Sequence, residues 1–144
     1  MSPLQQQHSD LATQTERLNL LPESRDYELW YRQGESLASV GNYEGALVSF
    51  EAALKIRPES VAAWNFRAAM LIHLERYEDA LSSSDRALNL QHGNEEAWLF
   101  RGAALQRLGH YQQAYASYYQ ALDRGRRTRT EFSWFKGIKR LFKG

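Results

Sequence analysis

Apolar residues recur along this chain at helical spacing, in short runs separated by polar breaks. Between positions 61 and 90, Trp64, Ala68, Leu71 and Ile72 recur at helical spacing. After a break at Glu75-Arg76, Tyr77, Ala80, Leu81, Ala87 and Leu88 do the same. That spacing predicts two amphipathic helices joined by a tight turn. The pattern also precedes and follows this stretch, with breaks at Gly41-Asn42 and Gly109-His110. Glycine there suits a left-handed helix cap, a conformation for which Glu75 lacks the freedom. Arg57-Pro58-Glu59-Ser60 reads as a stop followed by a Ser N-cap, and Gly93-Asn94 does similar work with an Asn cap. Glu95 and Glu96 then fall in a first helical turn, where the helix dipole favours acids.

The pattern is a repeat with a period of 34 residues. Seven columns are identical in three copies: Trp30/Trp64/Trp98, Leu37/Leu71/Leu105, Tyr43/Tyr77/Tyr111, Ala46/Ala80/Ala114, Ser49/Ser83/Ser117, Ala53/Ala87/Ala121 and Leu54/Leu88/Leu122. The units run over 27–60, 61–94 and 95–128. Alanine at fixed positions lets two helices approach closely, while Trp, Tyr and Leu fill the space beside them. One helix pair cannot bury its own apolar face, whereas three stacked pairs bury a continuous core.

This pattern resembles the tetratricopeptide repeat family. In the first unit Trp30, Gly34, Leu37, Gly41, Tyr43, Ala46, Phe50, Ala53 and Pro58 match. The third keeps Trp98, Gly102, Leu105, Gly109, Tyr111, Ala114, Tyr118 and Ala121, with Arg126 in place of the closing Pro. The second keeps Trp64, Ala68, Leu71, Tyr77, Ala80 and Ala87, and departs at Glu75, at Ser84 where a large aromatic is expected, and at His92. The resemblance implies an all-α, right-handed superhelix of three helix-turn-helix repeats. It also implies a concave groove lined by the first helices, and a non-catalytic adaptor or scaffold role that holds a peptide or helix of another protein.

By that resemblance the groove residues are Glu28, Tyr31, Glu35, Asn65, Ala69, Ile72, His73, Glu96, Leu99, Ala103 and Arg107. Asn65 stands out, because an amide offers a peptide backbone both a donor and an acceptor; the alternative is a solvated surface residue. Family members that grip the C-terminal carboxylate of heat-shock chaperones use a clamp of Lys, Asn and Arg. Its positions here hold Tyr31, Glu35, Phe66, Glu96 and Phe100, two of them acidic. Carboxylate recognition needs cationic forks, so that ligand class is rejected.

Charge divides the chain. Residues 1–123 carry 10 Lys and Arg against 16 Asp and Glu, a net of −6; residues 124–144 carry 8 against one, a net of +7. Within 129–144, Trp134, Phe135, Ile138, Leu141 and Phe142 share one helical face, with Lys136, Lys139, Arg140 and Lys143 largely on the other. Thr130 is placed to cap that helix. Two readings stay open: a capping helix over the last pair, at Tyr115, Tyr118, Tyr119 and Leu122, or a peripheral anchor on an anionic membrane. The second would make the protein a membrane-tethered adaptor or assembly factor. Arg124, Arg126, Arg127 and Arg129 could neutralise phosphates, but the acidic body and the lack of a nucleic-acid fold signature argue against nucleic acid. Residues 1–25 read as a flexible extension, with Leu11, Leu18, Leu20 and Leu21 as an alternative docking stripe.

Nothing points to catalysis. There is no cysteine, the four histidines have no helical-turn partners, and no phosphate-loop, nucleophile-elbow or zinc-protease motif occurs. Glu95-Glu96 and Glu78-Asp79 are sequence neighbours that point in different directions on a helix. No cofactor or metal is expected. The N-terminus has neither the basic region nor the apolar core of a secretory signal, and no apolar run approaches the roughly 20 residues of a membrane span. The expected setting is cytoplasmic, with a membrane-peripheral one as the alternative, as a monomer or a weak self-associate.

Overall fold

The computed structural model describes residues 3, 5–7 and 22–128, and every regular element among them is helical. Six helices follow residue 21: α1 (Pro22–Ser39), α2 (Tyr43–Ile56), α3 (Val61–His73), α4 (Tyr77–Leu90), α5 (Glu95–Arg107) and α6 (Tyr111–Thr128). This is the expected all-α array of helix-turn-helix repeats. Contacts divide the chain into two compact units, Met1–Pro58 and Glu59–Gly144. The first unit holds the α1–α2 pair. The second holds α3–α4 and α5–α6, with α4 packed on α5 and α3 touching α5 directly.

The turn inside each repeat is one device used three times. The second residue after the first helix takes positive φ, 80° at Gly41, 59° at Glu75 and 84° at Gly109. The following N–H reaches back to the carbonyl of Leu37, Leu71 or Leu105, with distances of 2.8–2.9 Å. These bonds satisfy carbonyls that the helix end would leave unpaired. The leucine column therefore supplies both a core side chain and a cap acceptor. Glu75 adopts the left-handed conformation that its neighbouring repeats give to glycine. Two helix starts are capped as expected, Ser60 Oγ accepting from Ala63 N at 3.1 Å and Asn94 Oδ1 from Ala97 N at 2.9 Å, and Asn42, read from the sequence only as part of a break, caps α2 in the same way, its Oδ1 accepting from Gly45 N at 3.0 Å. Arg76 at the start of α4 offers no such bond and pairs instead with Asp79 at 2.9 Å.

Close helix approach comes from two sets of small residues. Ala46, Ala80 and Ala114 are fully buried, as are Ala53 and Ala87. The second set is a matched exchange of volume. A Cβ at Gly34 would sit 2.7 Å from the Phe50 ring, and one at Gly102 would sit 2.6 Å from the Tyr118 ring. Glycine on the first helix thus makes room for an aromatic on the second. The middle repeat reverses both choices, with Ala68 opposite Ser84, each fully buried. Ser84 satisfies its hydroxyl on the Ala80 carbonyl at 3.0 Å. The departure at Ser84 is the other half of the change at position 68.

The buried serine column has a polar reason as well as a packing one. Ser49 and Ser83 donate to the carbonyl four residues back, each at 3.1 Å. Ser83 also receives the guanidinium of Arg67, and Ser117 that of Arg101 at 2.7 Å. Arg67 and Arg101 are themselves 34 residues apart, and each donates from the first helix to the second helix of its own repeat. Tyr118, whose hydroxyl donates to Gln106 at 2.8 Å, has its pKa raised above the ordinary value by burial, with Tyr115 adding to the shift.

Two stability predictions follow from this packing. Glu75→Gly relieves left-handed strain of about 1 kcal/mol, which should raise the melting temperature by roughly 3 °C in calorimetry. Ser84→Phe should overpack against the Ala68 methyl and cost about 1–3 kcal/mol. Adding Ala68→Gly should recover much of that loss in denaturant titrations, even though Gly alone weakens a helix.

Candidate partner-binding groove

The expected groove residues fall on both units. Glu28, Tyr31 and Glu35 lie on α1, in the first. Glu28 and Glu35 are exposed, with Glu28 3.7 Å from Arg32. Glu28 also lines an open depression of about 430 Å³ with Ser24, Arg25, Leu29 and Arg32. Tyr31 is half-buried in an aromatic cluster, stacked on Tyr27 at 5.7 Å and edge-on to Phe50 at 5.7 Å. Arg57 closes that cluster by lying 4.1 Å over the Tyr27 ring. Tyr31 is thus tied into the core of its own repeat.

In the second unit, α3 carries Asn65, Ala69, Ile72 and His73, and α5 carries Glu96, Leu99, Ala103 and Arg107. Ala69, Ile72 and Ala103 are half-buried; His73, Glu96, Leu99 and Arg107 are exposed. The two helices are joined by a polar link. Asn65 Nδ2 donates to Asn94 Oδ1 at 2.9 Å and to Glu96 Oε2 at 3.4 Å. The orientation of this amide follows from its neighbours. Asn94 Oδ1 is already the cap acceptor for Ala97 N, and Asn94 Nδ2 donates to Gln91 Oε1 at 3.1 Å. Only the Nδ2 side of Asn65 can face such an acceptor. Asn65 is 4% exposed, and its Oδ1 is buried without a hydrogen-bond partner. Its donor is therefore committed to holding α3 against the start of α5, and only the acceptor is unspent.

Arg107 is held too, with its guanidinium 5.5 Å over the Tyr77 ring. At the clamp positions, Tyr31, Phe66 and Phe100 are half-buried and Glu35 and Glu96 are exposed, so these five offer no cation. Among the described residues no three His, Cys, Asp or Glu side chains gather to hold a metal, and no helix is long and apolar enough to cross a membrane. Trp134, Phe135, Lys136, Ile138, Lys139, Arg140, Leu141, Phe142 and Lys143 lie outside the described residues, as do Thr130 and the N-terminal leucines.

Tetratricopeptide repeat profiles match residues 27–60 and 95–124, the first and third units read from the sequence. The chain is a tetratricopeptide repeat protein. Such repeats are generally non-enzymatic interaction modules. The middle of this tetratricopeptide protein is matched differently: the protein prenyltransferase alpha subunit repeat covers residues 77–108, which frames α4 and α5 as the pair. That frame begins half a repeat later and leaves out α3, the helix carrying Ala68. No curated protein matches the chain in sequence.

Solved structures agree on the fold. The Arabidopsis OM64 TPR domain superposes with a TM-score of 0.71 at 21% identity, covering 82% of this chain and 98% of that one. The TPR2B domain of yeast Sti1, in a complex with pHsp70, gives 0.72 at 18% identity, covering 83% and 95%. The first TPR of Spaghetti (RPAP3), bound to the HSP90 peptide SRMEEVD, gives 0.69 at 20% identity, covering 84% and 96%.

The sequence did not single out Arg67, Arg101 or Asn94 as links between helices. For the two arginines the signal was present in their 34-residue spacing and their fixed distance of 16 from a serine column. Asn94 should be worth more than an ordinary cap. Ser60→Ala should cost about 1 kcal/mol, whereas Asn94→Ala should cost about 2 kcal/mol because it also unpairs the buried Asn65 amide. Urea titration of both variants beside Asn65→Leu checks this, since the excess should vanish in the Asn65→Leu background.

Proposed function

We infer that this protein is a non-catalytic adaptor that holds a peptide or helix of a partner protein along the face shared by α3 and α5. The observation that carries this reading is the composition of that face. Half-buried Ala69 and Ala103 leave room for an inserted main chain, flanked by Ile72 and by Leu99, which is 41% exposed. Small residues beside apolar ones suit an extended segment or an amphipathic helix. Polar recognition there is acidic: the Glu96 carboxylate is exposed, and the Asn65 amide behind it has its donor spent on Asn94 and Glu96 and its acceptor buried. An acidic face selects N–H and cationic groups and disfavours carboxylates. The ligand is therefore a neutral or cationic segment, unlike the acidic SRMEEVD peptide seen with RPAP3.

Fluorescence anisotropy with a displayed peptide library, followed by individual peptides, tests this. Enriched sequences should carry Lys or Arg beside apolar residues, and Glu96→Lys should weaken them about tenfold, roughly 1.4 kcal/mol. SRMEEVD should bind no better than about 1 mM, near −4 kcal/mol. Preferential capture of SRMEEVD, or indifference to Glu96→Lys, would overturn the reading.

A further inference from the structure

We propose that the partner segment is bipolar, with a Lys or Arg held at Glu96, an Asp or Glu held at Arg107, and apolar residues between them. This rests on the α3–α5 face being the binding face, and it adds what that face selects. The two helices run in the same direction along it. Asn65, near the start of α3, donates to Asn94 and Glu96 at the start of α5. Arg107, at the end of α5, lies over Tyr77, which begins α4 just after α3 ends at His73. One end of the face is therefore made of both helix starts, and the other of both helix ends. Glu96 stands at the first and Arg107 at the second. Both are exposed, and neither makes an ion pair among the described residues.

Each charge is oriented without being neutralised. The Asn65 amide donates to Glu96 Oε2 at 3.4 Å and leaves the net charge for a cation. The Arg107 guanidinium lies 5.5 Å over the Tyr77 ring, a contact that consumes none of its N–H donors. Those donors form the fork that a carboxylate occupies. A carboxylate is thus excluded near Glu96 and accepted near Arg107. Arg107 is not one of the five clamp positions, so the acid it takes is a side chain partway along the segment and not a chain terminus. His73, one 34-residue period before Arg107, puts an exposed imidazole at the same end. Spacing then fixes the segment. Glu96 and Arg107 are eleven residues apart, about three helical turns, so both charges share one face of α5 with Leu99 and Ala103. Their separation along the axis is about 16 Å. An extended chain covers that in about five residues, and a helix in about eleven. Leu99, with Ile72 on α3, meets the apolar residues in the middle.

Peptides enriched from the displayed library, resynthesised with blocked termini, test this in the full-length chain by double-mutant cycles read with fluorescence anisotropy. They should carry opposite charges about five residues apart if bound extended, or about eleven if helical. Arg107→Glu should weaken them about tenfold, and the loss should fall to within about twofold once the peptide acid is replaced by Gln. Arg107→Lys should keep most of the affinity, because the charge is what is read. Glu96→Lys should couple to the peptide base and not to the peptide acid. Both charges also suit the dipoles of the helix ends they occupy, so thermal melting of each variant is the folding control. Arg107→Gln replaces Arg107→Glu if the reversal lowers the melting temperature. Enriched peptides without an acid, an equal loss on the Gln peptide, or indifference to the Arg107 change overturns the bipolar ligand, while coupling at Glu96 keeps the binding face. No enrichment, or no coupling at either residue, overturns the face itself and this inference with it.

Discussion

Everything in this structure depends on how closely the two helices of a repeat approach. Three alanines with no exposed surface, Ala46, Ala80 and Ala114, set that distance. Glycine beneath an aromatic ring holds it in the outer repeats, at Gly34–Phe50 and Gly102–Tyr118. Interiors are packed densely enough that an added methyl must be matched by volume removed elsewhere. Ala68 and Ser84 are that compensation. A residue that looks like a loss of pattern on one helix is explained by its partner across the interface, and the repeat keeps its geometry while changing both letters.

Close approach also brings polar groups into the interior, where each needs a partner. The repeats meet this requirement with local bonds. Buried serines bond back along their own helix and receive arginines from the facing one. Asn94 caps α5 and, with the same oxygen, accepts from Asn65 on α3. The last case binds local structure to tertiary structure, since one side chain fixes where a helix begins and which way a neighbouring amide points. It also fixes what that amide has left: the donor is spent on Asn94 and Glu96, and the acceptor is buried.

The junction between α4 and α5 mixes an apolar cluster, a cation over a ring and an ion pair. Exposed partners of this kind each contribute little by themselves. Their arrangement sets register, so the fit between neighbouring repeats is specified by several modest contacts rather than one strong one.

The sequence alone determined the two helices of each repeat, the repeat length and the turns between them, because each rests on residues close together in the chain. Leucine and tyrosine columns at a fixed period left no other assignment, and Gly41, Gly109, Ser60 and Asn94 marked ends that local hydrogen bonding confirmed. Tertiary structure decided the rest. The pairing of Ala68 with Ser84, the arginine–serine bonds and the burial of Asn65 depend on which side chains two helices bring face to face, 16 to 29 residues apart in the chain. Asn65 shows the difference most clearly. In the sequence it was an amide with a donor and an acceptor to offer, and only the fold, by placing Asn94 2.9 Å away, spent one and left the other.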